Sequence, residues 1–255
     1  MAEREREVME AAMEAGHILL ENGAEIFRVE ETINRICRHY GVESSNAFVL
    51  SNGIFVTSGS AREEIFAKVQ NIPVSGSHLD RVAAVNQLSR EIAEGRYSIE
   101  EVRQRLEEIH RMPGKTKRMR ILGSGVGSGA FCYLYGGTIQ DCTAAFLAGL
   151  LLYVFVIWVS DPHLKKIMSK IAGGAVATMA CMILHELGIG QNLDRMVIGS
   201  IIPLVPGVAF TNAIRDIADE DYIAGTVRMI DALLVFFCIA MGVGLVYTVR
   251  QRLML

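Results

Sequence analysis

The stretch "IIPLVPGVAFTNAIRDIADEDY", residues 201–222, decides how the chain is read, because it interrupts an apolar segment where a helix would otherwise run on. Pro203 and Pro206 lack backbone donors and Gly207 tolerates unusual dihedrals, so one helix should end near Ile202 and another begin at Gly207 or Val208. Backbone groups freed this way are tolerated in lipid only where they face protein or a watery cavity. A half-helix N-terminus presents unbonded amides and the positive end of the helix dipole, which favours an anion such as a carboxylate. Transporters build substrate sites from such broken helices near the middle of the bilayer.

The sequence around the break divides in two. Residues 1–120 are dense in Glu, Arg, Lys and Asp, whereas charges in residues 121–255 form short clusters between long apolar runs. Apolar residues make up 51 % of the chain, high for a soluble domain of this length. The expected architecture is an N-terminal α+β cytoplasmic domain, residues 1–116, followed by an all-α polytopic membrane domain, residues 117–255, of about five transmembrane helices with one broken at PLVPG. The start, "MAEREREVMEAAMEAGHILL", has no apolar core behind a basic patch and does not read as a secretory signal, which puts the first domain in the cytoplasm. The net charge is −3 and no basic stripe is interleaved with aromatics, so nucleic acid is not an expected partner. The five cysteines form no CxxC pair, and neither a disulfide framework, a zinc site nor another cofactor is indicated.

In the first part, residues 8–21 place Val8, Ala12, Ala15, Ile18 and Leu19 on one helical stripe that Asn22-Gly23 stops. A second helix over residues 26–40 buries Phe27, Val29, Ile33 and Ile36. "NAFVLSNGIFVTSG", residues 46–59, gives two β-rich runs around Asn52-Gly53, a strong hairpin signal. "EIFAKVQNI" reads as another strand, and residues 79–94 and 99–110 as helices, the second opened by Ser98 with Glu101 three residues on.

Beyond a basic hinge, "RMPGKTKRMR", the expected spans are residues 121–139, 142–159, 167–187, 196–210 and 223–247. Lys115, Lys117, Arg118 and Arg120 hold the start of the first span inside, and Lys165 and Lys166 fall on the same side. An odd number of spans leaves Arg250 and Arg252 outside, against the positive-inside rule. "GSGVGSG", residues 123–129, lacks the strand and the Gly-Lys-Ser/Thr of a phosphate loop; its small residues four apart, Gly123 with Gly127 and Gly125 with Gly129, suit helix packing in lipid. "HELG" is half of a zincin motif, with Ile189 where the second histidine would stand. Ser51 and Ser58 have no evident base for nucleophilic catalysis.

Near the break, Asn212, Arg215 and Asp216 lie downstream, and Arg228 and Asp231 stand three apart on a face of the last span. Ionisable groups inside a span are costly and normally face a pore, a partner or each other. Arg215 and Asp216 can also be read as the start of a loop, and Arg228 as a residue that snorkels to the interface.

"IPLVPGVAFTNAIRD" followed by "DYIAGTVRMIDALL" resembles the signature of the threonine/serine exporter family, which also includes two-component succinate exporters. "ENGAEIFRVEETINRICRHYG", "SNGIFVTSG" and "SHLDRVAAVNQLSREIAEGRYSIEEVRQRLEEI" resemble that family's cytoplasmic domain in order and spacing. The resemblance implies a secondary exporter of small amino or dicarboxylic acids in the inner membrane, not an enzyme. It also implies the larger half of a two-part system, working in the bilayer with a small membrane subunit or as a homo-oligomer. On this reading Pro206, Gly207 and Val208 hold the substrate carboxylate, Asn212 and Arg228 donate to it, Asp216 and Asp231 carry protons, and Arg215 is a charge partner. The alternative is a membrane-anchored sensor or scaffold whose cytoplasmic domain binds a ligand or partner; a pure anchor has no need of a broken helix with intramembrane charge.

Overall fold

A computed structural model describes residues 3–42, 45–58, 66–72, 78–160 and 163–253. The elements run α1 (Glu3–Glu21), α2 (Ile26–His39), β1 (Asn46–Leu50), β2 (Gly53–Ser58), β3 (Phe66–Asn71), α3 (Leu79–Ala93) and α4 (Ile99–His110). They continue with α5 (Lys117–Leu134), α6 (Ile139–Phe155) with a π-turn at Val156–Ser160, and α7 (Lys166–Glu186). Last come α8 (Leu193–Ile201) with a 3-10 turn at Ile202–Leu204, α9 (Gly207–Ala218) and α10 (Tyr222–Leu253). Contacts divide the chain into two compact units, Met1–Gly114 with Gly207–Ile230, and Lys115–Pro206 with Asp231–Leu255.

In the first unit α1 buries Val8, Ala12, Ala15, Ile18 and Leu19, because apolar residues recur every three or four positions. It ends where Ala24 N bonds back to Leu19 O and Gly23 N to Leu20 O, with Gly23 at φ 83°. Only a residue without Cβ adopts that dihedral at no cost, so Gly23 sets the sharp turn into α2. The sheet is antiparallel in the order β1-β2-β3, with Leu50 opposite Gly53 across the tight turn and Phe55 opposite Val69. Val49, Ile54 and Val56 point into the core that α1 and α2 build. Gly59, Glu64, Ile65 and Ser77, which belong to the stretches read above, lie outside the described residues. α4 opens with the expected box: Ser98 N donates to Glu101 Oε2 at 2.7 Å, and Glu101 N to Ser98 Oγ at 3.4 Å. Ala224, near the start of α10, is buried in the same core.

In the second unit small residues set the helix approaches. A Cβ on Gly125 would stand 2.7 Å from Leu150 Cδ2, and one on Gly129 3.2 Å from Cys142 O, so α5 packs on α6 through this pair. Gly123 and Gly127 face open space instead. α7 and α10 meet as closely: a Cβ on Gly174 would lie 2.7 Å from Ile239 O and one on Gly242 2.1 Å from Ile171 O. Buried Asp141 caps α6 by accepting from Thr138 N, and its other oxygen accepts from Gln191 N and Asn192 N at 2.6 and 2.8 Å. One carboxylate thereby ties the α5–α6 turn to the entry of α8.

Two expectations about the fold class need correction. The described residues are 76 % helical and form only one small three-stranded sheet, so the large N-terminal α+β domain is not what forms. The β-rich runs yield strands of just five or six residues, while the large fully buried side chains, such as Met9, Met13, Leu19, Ile33 and Leu106, come overwhelmingly from helices. Nor do the described residues give five spans. Among the described residues three helices are long and apolar enough to cross a membrane, Ile139–Val159, Lys166–Glu186 and Tyr222–Arg252. Leu193–Leu204 with Gly207–Ala218 adds a fourth only if the broken pair counts as one. α5 fails because its first turn holds Lys117, Arg118 and Arg120. The apolar remainder, residues 121–134, spans roughly 21 Å at 1.5 Å per residue, against about 30 Å of hydrocarbon.

Candidate functional site

The break falls at PLVPG. α8 stops at Ile201, Val205 N donates to Ile202 O at 3.0 Å, and α9 starts at Gly207. Pro206 is half-buried; Gly207 and Val208 are exposed, and a Cβ on Gly207 would meet nothing within 4 Å.

The polar residues downstream gather, within the first unit, on the turn between α1 and α2. Asp216, 1 % exposed, accepts from Arg228 Nη1 at 2.8 Å and from Ile26 N at 3.2 Å. Arg228 Nη2 donates to Ala24 O at 3.1 Å, and Asn212 Nδ2 to Gly23 O at 2.8 Å. Arg215 pairs with Glu25, which also accepts from Arg28 Nε at 2.8 Å. The result is a clamp in which a buried ion pair, its spare donors and a neighbouring amide are all spent on four successive residues, Gly23 to Ile26. The positive φ of Gly23 gives the turn the shape on which these carbonyls meet their donors. Burial of an ion pair is tolerable only with such complete hydrogen bonding. The turn belongs to "ENGAEIFRVEE", which the sequence shows only as a family marker; nothing local in it announces a partner about 190 residues away.

Asp231 takes a different partner from Arg228. In the second unit Lys166 Nζ donates to both its oxygens, at 2.6 and 2.5 Å. Lys170 Nζ, one turn along α7, donates to Leu204 O at 3.1 Å, a carbonyl two residues before Pro206. By sequence Lys166 reads as a loop charge, and Lys170 follows it by one helical turn. Their spacing of four on an apolar helix is the signal that marks a shared face.

Two carboxyls outside the spans are also displaced. Burial pushes the Glu30 carboxyl up, with the Val49 N–H at 2.9 Å opposing and Asp221 adding to the shift. Asp221 is pushed up by burial and by the charge of Asp219, against the pull of Arg228.

Residues 10–250 match the family described as "Putative threonine/serine exporter". The chain belongs to the threonine/serine exporter family. With its three long apolar helices, this member of the exporter family is a multi-pass membrane protein. Curated relatives include "Probable succinate transporter subunit YjjP" of Escherichia coli (strain K12), 23 % identical over 249 residues that cover 97 % of this chain and 96 % of the relative. The protein of the same name from Klebsiella aerogenes is 23 % identical over 246 residues, covering 96 % and 94 %. No solved structure matches the chain. In this exporter-family chain the clamp joins the GAE turn to Asn212, Asp216 and Arg228, all of them within the stretches that carry the resemblance.

Proposed function

We propose that the chain is the larger subunit of a secondary exporter of small amino acids or dicarboxylates, working in the inner membrane with residues 1–116 on the cytoplasmic side and a small membrane subunit as partner. The names of the relatives, succinate transporter subunits, support both the substrate class and the need for a partner. Substrate carboxylate binds at the start of α9, around Pro206, Gly207 and Val208, with Asn212 and Arg228 as donors and Arg215 as a further charge partner.

One observation carries this reading: Arg228 is held by a single carboxylate, that of Asp216, and by main-chain oxygen. A substrate carboxylate has the same chemistry as Asp216 and can exchange with it. Asp231 stands in the same relation to Lys166. Protonation of either aspartate removes the charge that holds its cation, which makes Asp216 and Asp231 the proton carriers of a coupled cycle.

The test is efflux of labelled serine, threonine and succinate from cells that express the chain with its small membrane partner. At matched membrane expression, Arg228→Ala and Asp231→Asn should each reduce efflux at least tenfold. Wild-type efflux from both overturns the assignment.

A further inference from the structure

A half-open cavity of about 480 Å³ lies in the second unit, between the start of α7 and one face of α10. From α10 it takes Asp231, Leu234, Val235 and Cys238, spaced as i, i+3, i+4 and i+7, so a single helical stripe forms that wall. From the start of α7 it takes Lys165, Lys166 and Lys170. Among the described lining residues the charged groups are these three lysines and Asp231; Lys166 holds Asp231 and Lys170 the Leu204 carbonyl. Beyond the charged groups the wall is apolar, and Leu234 and Ile167 are exposed beside it.

These features have different chemical demands. The clustered ammonium groups attract an anion, and the stripe of Leu234, Val235 and Cys238 favours something apolar lying next to that anion. Both helices are long and apolar enough to span a membrane, and Lys166 is the first residue of its span, so the cations stand at the level of the headgroups. Basic pockets between transmembrane helices at that level suit anionic headgroups. A small hydrophilic acid or free phosphate would satisfy the lysines and leave the apolar wall uncovered.

We propose that this cavity binds an anionic glycerophospholipid, its phosphate among Lys165, Lys166 and Lys170 and an acyl chain along the Leu234, Val235 and Cys238 stripe. The proposal goes beyond the export reading and does not depend on it. It has a consequence for the neighbouring pair: phosphate on Lys166 competes with Asp231 for the same ammonium, so lipid occupancy loosens the Lys166–Asp231 contact.

The test is native mass spectrometry of the full chain released from detergent micelles containing equal amounts of phosphatidylglycerol and phosphatidylcholine. The wild type should retain one phosphatidylglycerol in clear preference to phosphatidylcholine. Each lysine near the surface contributes roughly fivefold in affinity for anionic lipid, so Lys166→Gln with Lys170→Gln should lower the preference by more than about tenfold. Leu234→Trp fills the apolar wall without altering charge and should also abolish retention, which separates the site from a diffuse surface effect. Millimolar succinate or inorganic phosphate should leave the bound lipid in place. No lipid preference in the wild type, an unchanged preference in both variants, or displacement of the lipid by succinate or phosphate overturns the proposal; displacement would assign the cavity to a small acid.

Discussion

Removing the cation from the Asp216–Arg228 pair should cost far more than removing the pair. Asp216 is 1 % exposed and Arg228 11 %, so Arg228→Met leaves a buried carboxylate with only the Ile26 amide to solvate it. Stranding one charge of a buried pair costs about 3–5 kcal/mol. Asp216→Leu strands the guanidinium in the same way and also leaves the Ile26 N–H without its acceptor. The two single losses together approach about 6–10 kcal/mol on this scale. In the double variant no charge is buried, and the remaining deficits are the unpaired Ile26 N–H and Ala24 carbonyl, each worth about 1–3 kcal/mol. The double variant should therefore lose about 2–6 kcal/mol, and at the middle of both ranges the coupling energy of the cycle should be about 4 kcal/mol. For a chain of this size 1 kcal/mol corresponds to roughly 2–4 °C in melting temperature, which places Arg228→Met about 10 °C below wild type. Circular dichroism melts of the full chain in detergent measure all four corners of the cycle. Arg215 is 57 % exposed, so Arg215→Ala should cost less than about 1 kcal/mol and serves as a control on the rim of the same clamp. A melt of Arg228→Met within about 3 °C of wild type, or a double variant equal to the sum of the singles, refutes the reasoning.

Two further outcomes are expected. Gly242→Ala puts a Cβ 2.1 Å from the main-chain Ile171 O and should lower the yield of monodisperse protein and its melting temperature, whereas Gly244→Ala, two residues on and with open space, should behave as wild type in the same size-exclusion and melting assays. Equal behaviour of the two would contradict the close α7–α10 approach. Glu30 is a carboxyl whose folded pKa is raised from 4.5, so its contribution to stability is fully present below that pH and is lost as pH rises through the folded value. Glu30→Gln should therefore gain on wild type steadily from pH 4 towards pH 7 in melts of both proteins; a constant or reversed difference sinks this.

Local chemistry made much of the chain readable before any packing was known. Pro203, Pro206 and Gly207 determine that α8 stops and α9 starts where they do, since a missing donor and a fixed φ act on the backbone at that point whatever surrounds it. Ser98 with Glu101 likewise determines the opening of α4, whereas the hairpin turns one residue earlier than Asn52-Gly53, on Ser51 and Asn52, with Gly53 already paired to Leu50 in β2. Span counting is less local, because α5 and α9 are apolar by pattern yet shortened by a charged first turn in one and by the proline break in the other.

Pairing was beyond the reach of sequence. Arg228 and Asp231 share a face by spacing, and that spacing is silent on their partners: the first turns to Asp216 and the Ala24 carbonyl, the second to Lys166. Similarly, Gly123 with Gly127 and Gly125 with Gly129 are equivalent as small residues four apart, and only the presence of α6 beside one pair distinguishes them. The residues by themselves determined where the backbone must break and which groups need partners. Only the tertiary structure decided which partners they receive, because a buried charge is satisfied by whatever the fold brings within about 3 Å, and that distance is set by chain folded from nearly two hundred residues away.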